Sequence, residues 1–169
     1  MLVVTDRVSG RGGADRHLWD IVEALRDRGD HVHVAAGRTG PGDESVIRCR
    51  ALASAIPSTR QLDGLDGPLS YADVVLVQNV MNPTALRRVA ATGRAIVLVQ
   101  DHRVFCPGPG RTLPDGRACD RVPTEAACAA CLPDEAYRAK ALALTQERRS
   151  AMAGAEIVVL SHYMQREMG

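Results

Sequence analysis

The sequence predicts a doubly wound α/β fold, with a mostly parallel sheet of about six strands. Three observations predict it. Aliphatic runs without polar alternation, Leu2-Val3-Val4, Val74-Val75-Leu76-Val77 and Ile96-Val97-Leu98-Val99, read as strands buried on both faces, the type found inside parallel sheets. Amphipathic stretches at helical spacing alternate with them. A glycine loop joins the first strand to the first helix, and right-handed crossover makes the strands on either side of that helix parallel.

The first strand spans 2–5 and runs into the loop Asp6-Arg7-Val8-Ser9-Gly10-Arg11-Gly12-Gly13. Leu18, Ile21, Val22 and Leu25 then share one face of a helix, which Gly29 ends in the left-handed conformation that glycine tolerates best. Strands are expected over 32–36 and, after the turn residues Gly40-Pro41-Gly42-Asp43, over 46–52. The stretch 57–70 is rich in Gly, Pro and Asp and reads as loop with one short helical turn. A strand over 74–78 ends at Asn79, and Asn82-Pro83 starts a helix, with Asn as its cap and Pro at the first helical position. The buried strand over 96–99 delivers Gln100-Asp101-His102 into a long Cys-rich insertion at about 102–133. A helix follows over about 134–153, with Tyr137, Ala141 and Leu144 on one face; a strand over 157–160 and a helix capped by Ser161 close the sequence.

The 169 residues are read as one domain, and 46% hydrophobic with 24% charged residues marks it as globular, not disordered. A net charge of +1, from 21 basic and 20 acidic residues spread along the chain, provides no basic stripe and argues against nucleic acid. No run approaches the ~18 apolar residues of a membrane span, and no signal sequence opens the chain, so a cytoplasmic location is expected. In that reducing compartment, five cysteines suggest metal ligands or buried thiols before disulfides.

Gly12 and Gly13 let a ligand approach the backbone, and the free amides of the following helix N-terminus favour a phosphate; Arg7 and Arg11 flank the loop. The other reading is a tight turn without a ligand. The glycines do not space as G-x-G-x-x-G, and no acidic residue closes the second strand, so an NAD site is not expected. Asp101 and His102 stand beyond the carboxyl end of a buried strand, where ligands collect, with Asn79 at a neighbouring strand end; the alternative is an ordinary solvated loop. The glycine pair and Asp101-His102 are expected on adjacent strands, at one edge of the sheet.

Cys106, Cys119, Cys128 and Cys131 are separated by twelve, eight and two residues. A C-x-x-C pair with two further thiolates completes a tetrahedral zinc site of the closed, structural kind, which leaves no open position for catalysis. Metal binding also offers a reason for a loop of Pro, Gly and Arg to hold one shape. Buried free thiols and a redox pair are the other readings; Cys49 reads as a core residue.

The run Gly12-Gly13-Ala14-Asp15-Arg16-His17-Leu18, followed by Leu25-Arg26-Asp27-Arg28-Gly29-Asp30-His31-Val32-His33-Val34, resembles the amino-terminal half of the GT-B glycosyltransferases of the large retaining family 4. Gln100-Asp101-His102-Arg103-Val104-Phe105-Cys106-Pro107 is similar to the His-Asp-x-x-x-x-Cys-Pro segment of a subgroup of that family, and Cys128-Ala129-Ala130-Cys131-Leu132 and Ile157-Val158-Val159-Leu160-Ser161 continue the likeness. Asp15 stands where the family usually has Glu, and Gln100 where a His is common. The resemblance implies one Rossmann-like half of a GT-B fold and transfer of a sugar, with retention, from a nucleoside diphosphate sugar to an acceptor hydroxyl. It implies that the glycine loop meets the diphosphate and that Asp101 and His102 touch sugar or acceptor. It implies a separate carboxy-terminal domain that grips the donor and is missing here, without which this chain should not turn over. The acceptor side would take small molecules or glycans, with peripheral membrane contact if the acceptor is a lipid. The rivals are a stand-alone, zinc-stabilised binding or interaction domain and a nucleotide-dependent enzyme of the dehydrogenase type.

Overall fold

The aliphatic runs become the strands of one sheet in the computed structural model, which describes residues 1–9, 12–40 and 45–169. β1 (Leu2–Thr5), β2 (His33–Ala36), β3 (Ile47–Arg48), β4 (Val75–Gln78), β5 (Ala95–Val99) and β6 (Glu156–Val159) pair in the order β3-β2-β1-β4-β5-β6. Every pairing is parallel. The architecture is the Rossmann-like, doubly wound α/β fold, and the strand order reverses between β1 and β4, where such sheets open a crevice.

Because side chains alternate across a strand, each strand feeds both faces. Val3, Val34 and Ala36 pack beneath Leu18 and Val22 of α1 (Gly13–Asp27). Leu2, Val4, Val75, Val77 and Val97 face the larger core on the other side, which α2 (Asp66–Tyr71), α3 (Pro83–Ala90) and α5 (Glu135–Ala151) cover with Leu69, Leu86, Val89 and Ala151. Two short helices, α4 (Glu125–Cys128) and α6 (His162–Met168), complete the chain. Gly29 ends α1 at φ 94°, Asn82 Oδ1 accepts from Thr84 N–H at 3.0 Å, and Ser161 Oγ accepts from Met164 N–H at 3.2 Å, as the caps in the sequence predict. Among the described residues no helix is long and apolar enough to cross a membrane.

Three segments depart from the sequence reading. The strand expected over 46–52 pairs only at Ile47–Arg48 and then coils into a 3-10 turn at Arg50–Ala53. Tertiary contacts impose the turn: Asn82 Nδ2 donates to Ala51 O at 2.9 Å and to Ser58 O at 2.8 Å, and the chain packs so closely on β2 that a Cβ at Gly37 would lie 2.2 Å from Ala53 N. The segment 57–70 is more helical than expected, with a 3-10 turn at Leu62–Leu65 leading into α2, because Leu62, Leu65 and Leu69 are all buried. On α5 the face of Tyr137, Ala141 and Leu144 lines an open groove, and Tyr137 is 60% exposed; Thr145, Arg148 and Ala151 turn inward instead.

Candidate functional site at the carboxyl edge of the sheet

Gln78, the last residue of β4, organises this edge. It pairs in register with Thr5 of β1 and Leu98 of β5, and its side chain is buried on the α1 side. Gln78 Nε2 donates to Ala14 O at 2.7 Å and to Gln100 Oε1 at 2.9 Å, and Gln100 Nε2 lies 3.2 Å from His17 Nδ1. One glutamine thus ties the first turn of α1 to the residues that leave β5. The glycine pair and Asp101-His102 do share the sheet edge, but on β1 and β5 with β4 between them, not on adjacent strands.

Gly12 precedes α1 at φ 109°, a conformation that disfavours any side chain. Among the described residues, nothing outside its own helix and chain neighbours lies within 4 Å of where a Cβ on Gly13 would stand. Asp15 is buried, accepts a hydrogen bond from the Ser9 hydroxyl and has Oδ1 3.9 Å from Arg7 Nε, so it anchors the loop below the glycines. A groove of about 420 Å³ runs beside them, lined by Ser9, Gly12, Gly13, Arg16 and Trp19. Arg11, expected to flank the phosphate, lies outside the described residues.

Asp101 caps the 3-10 turn His102–Val104 through Arg103 N–H at 2.8 Å and grips the Arg103 guanidinium with both oxygens, at 2.8 and 2.9 Å from Nε and 2.6 Å from Nη2. Burial works against its charge, but Arg103 outweighs burial and holds the carboxyl below its ordinary value. So engaged, the carboxylate positions Arg103. His102 is the accessible member of the pair, its side chain 40% exposed, with Nδ1 3.9 Å from Asp101 Oδ1. Its ring lies 3.4 Å from the Cβ position of Gly110 in the cysteine loop. Asn79 follows Gln78 in the left-handed region, φ 57°, which Asn tolerates better than most residues.

Gln78 Oε1 and Asp6 Oδ1 are buried acceptors without a donor among the described residues. Burial pushes the Asp6 carboxyl up, more than Arg7 draws it down.

In the insertion, Val104, Phe105 and Cys106 are buried, but no residue from 107 to 133 is. Cys106, Cys119, Cys128 and Cys131 nevertheless line one cavity of about 20 Å³. All are free thiols. Among the described residues no set of three or more His, Cys, Asp or Glu side chains is already gathered to hold a metal ion.

No family model, curated protein or solved structure matches the chain. The chemistry of the edge is therefore read from its own residues. Gln78, Asp6, Arg16 and Arg103 were not singled out by sequence. A polar residue ending an apolar strand, as Gln78 does, is the signal that could have pointed to the first of them.

Proposed function

We propose that the chain is the acceptor-side, Rossmann-like domain of a retaining GT-B glycosyltransferase, which in the whole enzyme transfers a sugar from a nucleoside diphosphate sugar to an acceptor hydroxyl. The observation that carries this reading is the start of α1 at the carboxyl edge of the sheet, where Gly12 and Gly13 open the backbone beside a groove of about 420 Å³ that Arg16 also lines. Amides at that helix start offer donors to a diphosphate, and the arginine offers positive charge. Amides and nearby cations such as Arg16, which lines the groove, would stabilise charge as the sugar–diphosphate bond breaks, the acceptor oxygen bonds to the sugar carbon and the acceptor proton passes to the leaving diphosphate. In this reading the accessible His102 contacts sugar or acceptor, and the Asp101–Arg103 pair holds the turn that carries it.

A dehydrogenase-type dinucleotide site fits less well, although the strand order suits one. β2 ends at Ala36-Gly37, and a side chain at Gly37 would meet Ala53 N at 2.2 Å and Asp6 O at 2.6 Å, so no acid fits there to hold a ribose. The reading requires a second α/β domain to grip the donor.

An amide-resolved NMR titration with nucleoside diphosphates, nucleoside diphosphate sugars and NAD tests this. Saturable shifts centred on Gly12, Gly13 and Ala14 with the diphosphates, and none with NAD, are expected. Tight NAD binding, or shifts that avoid the glycine pair, overturns the reading.

A further inference from the structure

We propose that Cys106, Cys119, Cys128 and Cys131 bind one Zn²⁺ ion, a structural site that clamps the insertion beside the sheet edge. The proposal is independent of the transferase reading.

The sequence separates these thiols widely, and the backbone brings them back together. Leu113 N–H donates to Arg117 O at 2.8 Å and Gly116 N–H to Leu113 O at 2.9 Å, closing a tight turn. Across that hairpin Cys119 N–H donates to Arg111 O at 2.8 Å, which carries Cys119 to the Cys106 side. At the far end of the loop, Thr124 caps α4, and Cys131 N–H donates to Cys128 O at 3.1 Å, so the C-x-x-C pair curls into one turn. Gly108 closes the arrangement: its Cβ position lies 3.5 Å from Cys131 Cβ and 4.0 Å from Cys106 Sγ, leaving space for the thiols to face each other.

The cavity between them decides the size of the occupant. At about 20 Å³ it admits one water-sized particle, for which roughly 10–15 Å³ suffices, and excludes a nucleotide or a sugar. Soft thiolates in a closed set of four select zinc over the hard cations. Hydrogen-bond donors face two of the thiols. Arg111 N–H donates to Cys106 Sγ at 3.3 Å, and the Arg111 guanidinium sits beside Cys119 while its Nε donates to Glu167 Oε2 at 2.5 Å. Each thiol releases its proton as it binds, and zinc would draw the four sulfurs in to the ~2.3 Å of a zinc–sulfur bond.

The site also answers an energetic question. A stretch from 107 to 133 with no buried residue has no hydrophobic core to fix it, yet it places Gly110 against the His102 ring. Its flanks are fastened, by Arg111 to Glu167 of α6 and by Arg138 Nε to Glu125 Oε2 at 2.9 Å between α5 and α4. The Arg138–Glu125 pair, with its carboxylate 55% exposed, contributes little, and the largely covered Arg111–Glu167 pair fixes the loop at one point only. A metal cross-link supplies the missing constraint.

The test uses the full chain, purified in a thiol reductant without chelator. Elemental analysis and native mass spectrometry should give about one zinc per chain. After removal of the metal, Co²⁺ should restore one equivalent of a thiolate-to-metal charge-transfer band. Cys119→Ser and the Cys128→Ser, Cys131→Ser pair should each weaken zinc at least tenfold in competition with a chromophoric chelator, and Cys49→Ala should not. Because a variant can misfold, competition on the unaltered chain, with circular dichroism as the folding control, stands as the second measurement. A folded, metal-free chain with all its thiols titratable and no uptake of added Zn²⁺ overturns the proposal. So does a Cys128–Cys131 disulfide that persists in reductant, or a metal content unchanged by the cysteine substitutions.

Discussion

Gln78 Nε2 donates to Gln100 Oε1 at 2.9 Å, joining the end of β4 to the residue after β5, while the same nitrogen holds Ala14 O in the first turn of α1. Both side chains project to the α1 side, because Gln78 pairs with Leu98 and Gln100 lies two residues further along the same face. The candidate site is thus held by side-chain amides at the topological switch point.

Gln78→Leu removes both bonds from a buried position and should destabilise the fold by about 1–3 kcal/mol. Urea denaturation measures it. Combined with Gln100→Ala, the two losses should be non-additive by at least about 0.5 kcal/mol, since the residues share one bond; strict additivity means that the bond does not couple them.

Arg148 is 4% exposed, and its guanidinium donates to Met81 O at 3.0 Å, Arg103 O at 3.2 Å and Ala55 O at 2.7 Å. It joins α5, the 3-10 turn after β5 and the chain after β3. Arg148→Met strands those carbonyls and should cost about 2–4 kcal/mol. Arg148→Lys should recover less than half of that, because one ammonium does not reproduce the planar fork. Thermal melts of both variants give the comparison.

The Asp101 carboxyl is held low by Arg103 against the cost of burial. A lowered folded value means that its contribution is complete above the unfolded value of 3.8 and is lost as pH falls through the still lower folded value. The melting-temperature gap between the unaltered chain and Asp101→Asn should be constant near neutral pH and close under acid below 3.8. A gap independent of pH shows that the ion pair adds nothing.

Gly37→Ala introduces a Cβ 2.2 Å from Ala53 N and 2.6 Å from Asp6 O, both backbone atoms. Neither yields easily, so the variant should lose more than about 2 kcal/mol or fail to accumulate in soluble form. Full stability in denaturant titration contradicts the close packing of the Arg50–Ala53 turn on β2.

Much of the fold is legible in sequence because burial on both faces leaves a plain mark: residues 2–4, 75–77 and 95–99 are unbroken aliphatic runs that end at the site edge. Caps are local, so Asn82 and Ser161 reveal their helices. What is not legible depends on partners far along the chain. Cys49 to Leu52 has the composition of a strand but turns because Asn82 takes Ala51 O. Arg148 reads as a surface residue until three carbonyls surround it. Leu62, Leu65 and Leu69 carry helical spacing that Gly64, Gly67 and Pro68 obscure. Asp101 was picked out by its place after a strand, yet its engagement with Arg103 is a contact that no spacing rule weighs.

Gly13→Ala tests the central claim most directly. Among the described residues, nothing outside its own helix and chain neighbours lies within 4 Å of the new methyl group, so the fold should keep or slightly gain stability at this first helical position. The same methyl group would occupy the open space in which the proposed diphosphate would meet the amides of α1. Titrated with a nucleoside diphosphate and followed by amide shifts, the unaltered chain should show weak, saturable binding at Gly12 to Ala14, and Gly13→Ala should bind at least tenfold more weakly with an unchanged melting temperature. Equal affinity in the two proteins, or no saturable binding in the unaltered chain, contradicts a diphosphate site at the glycine pair.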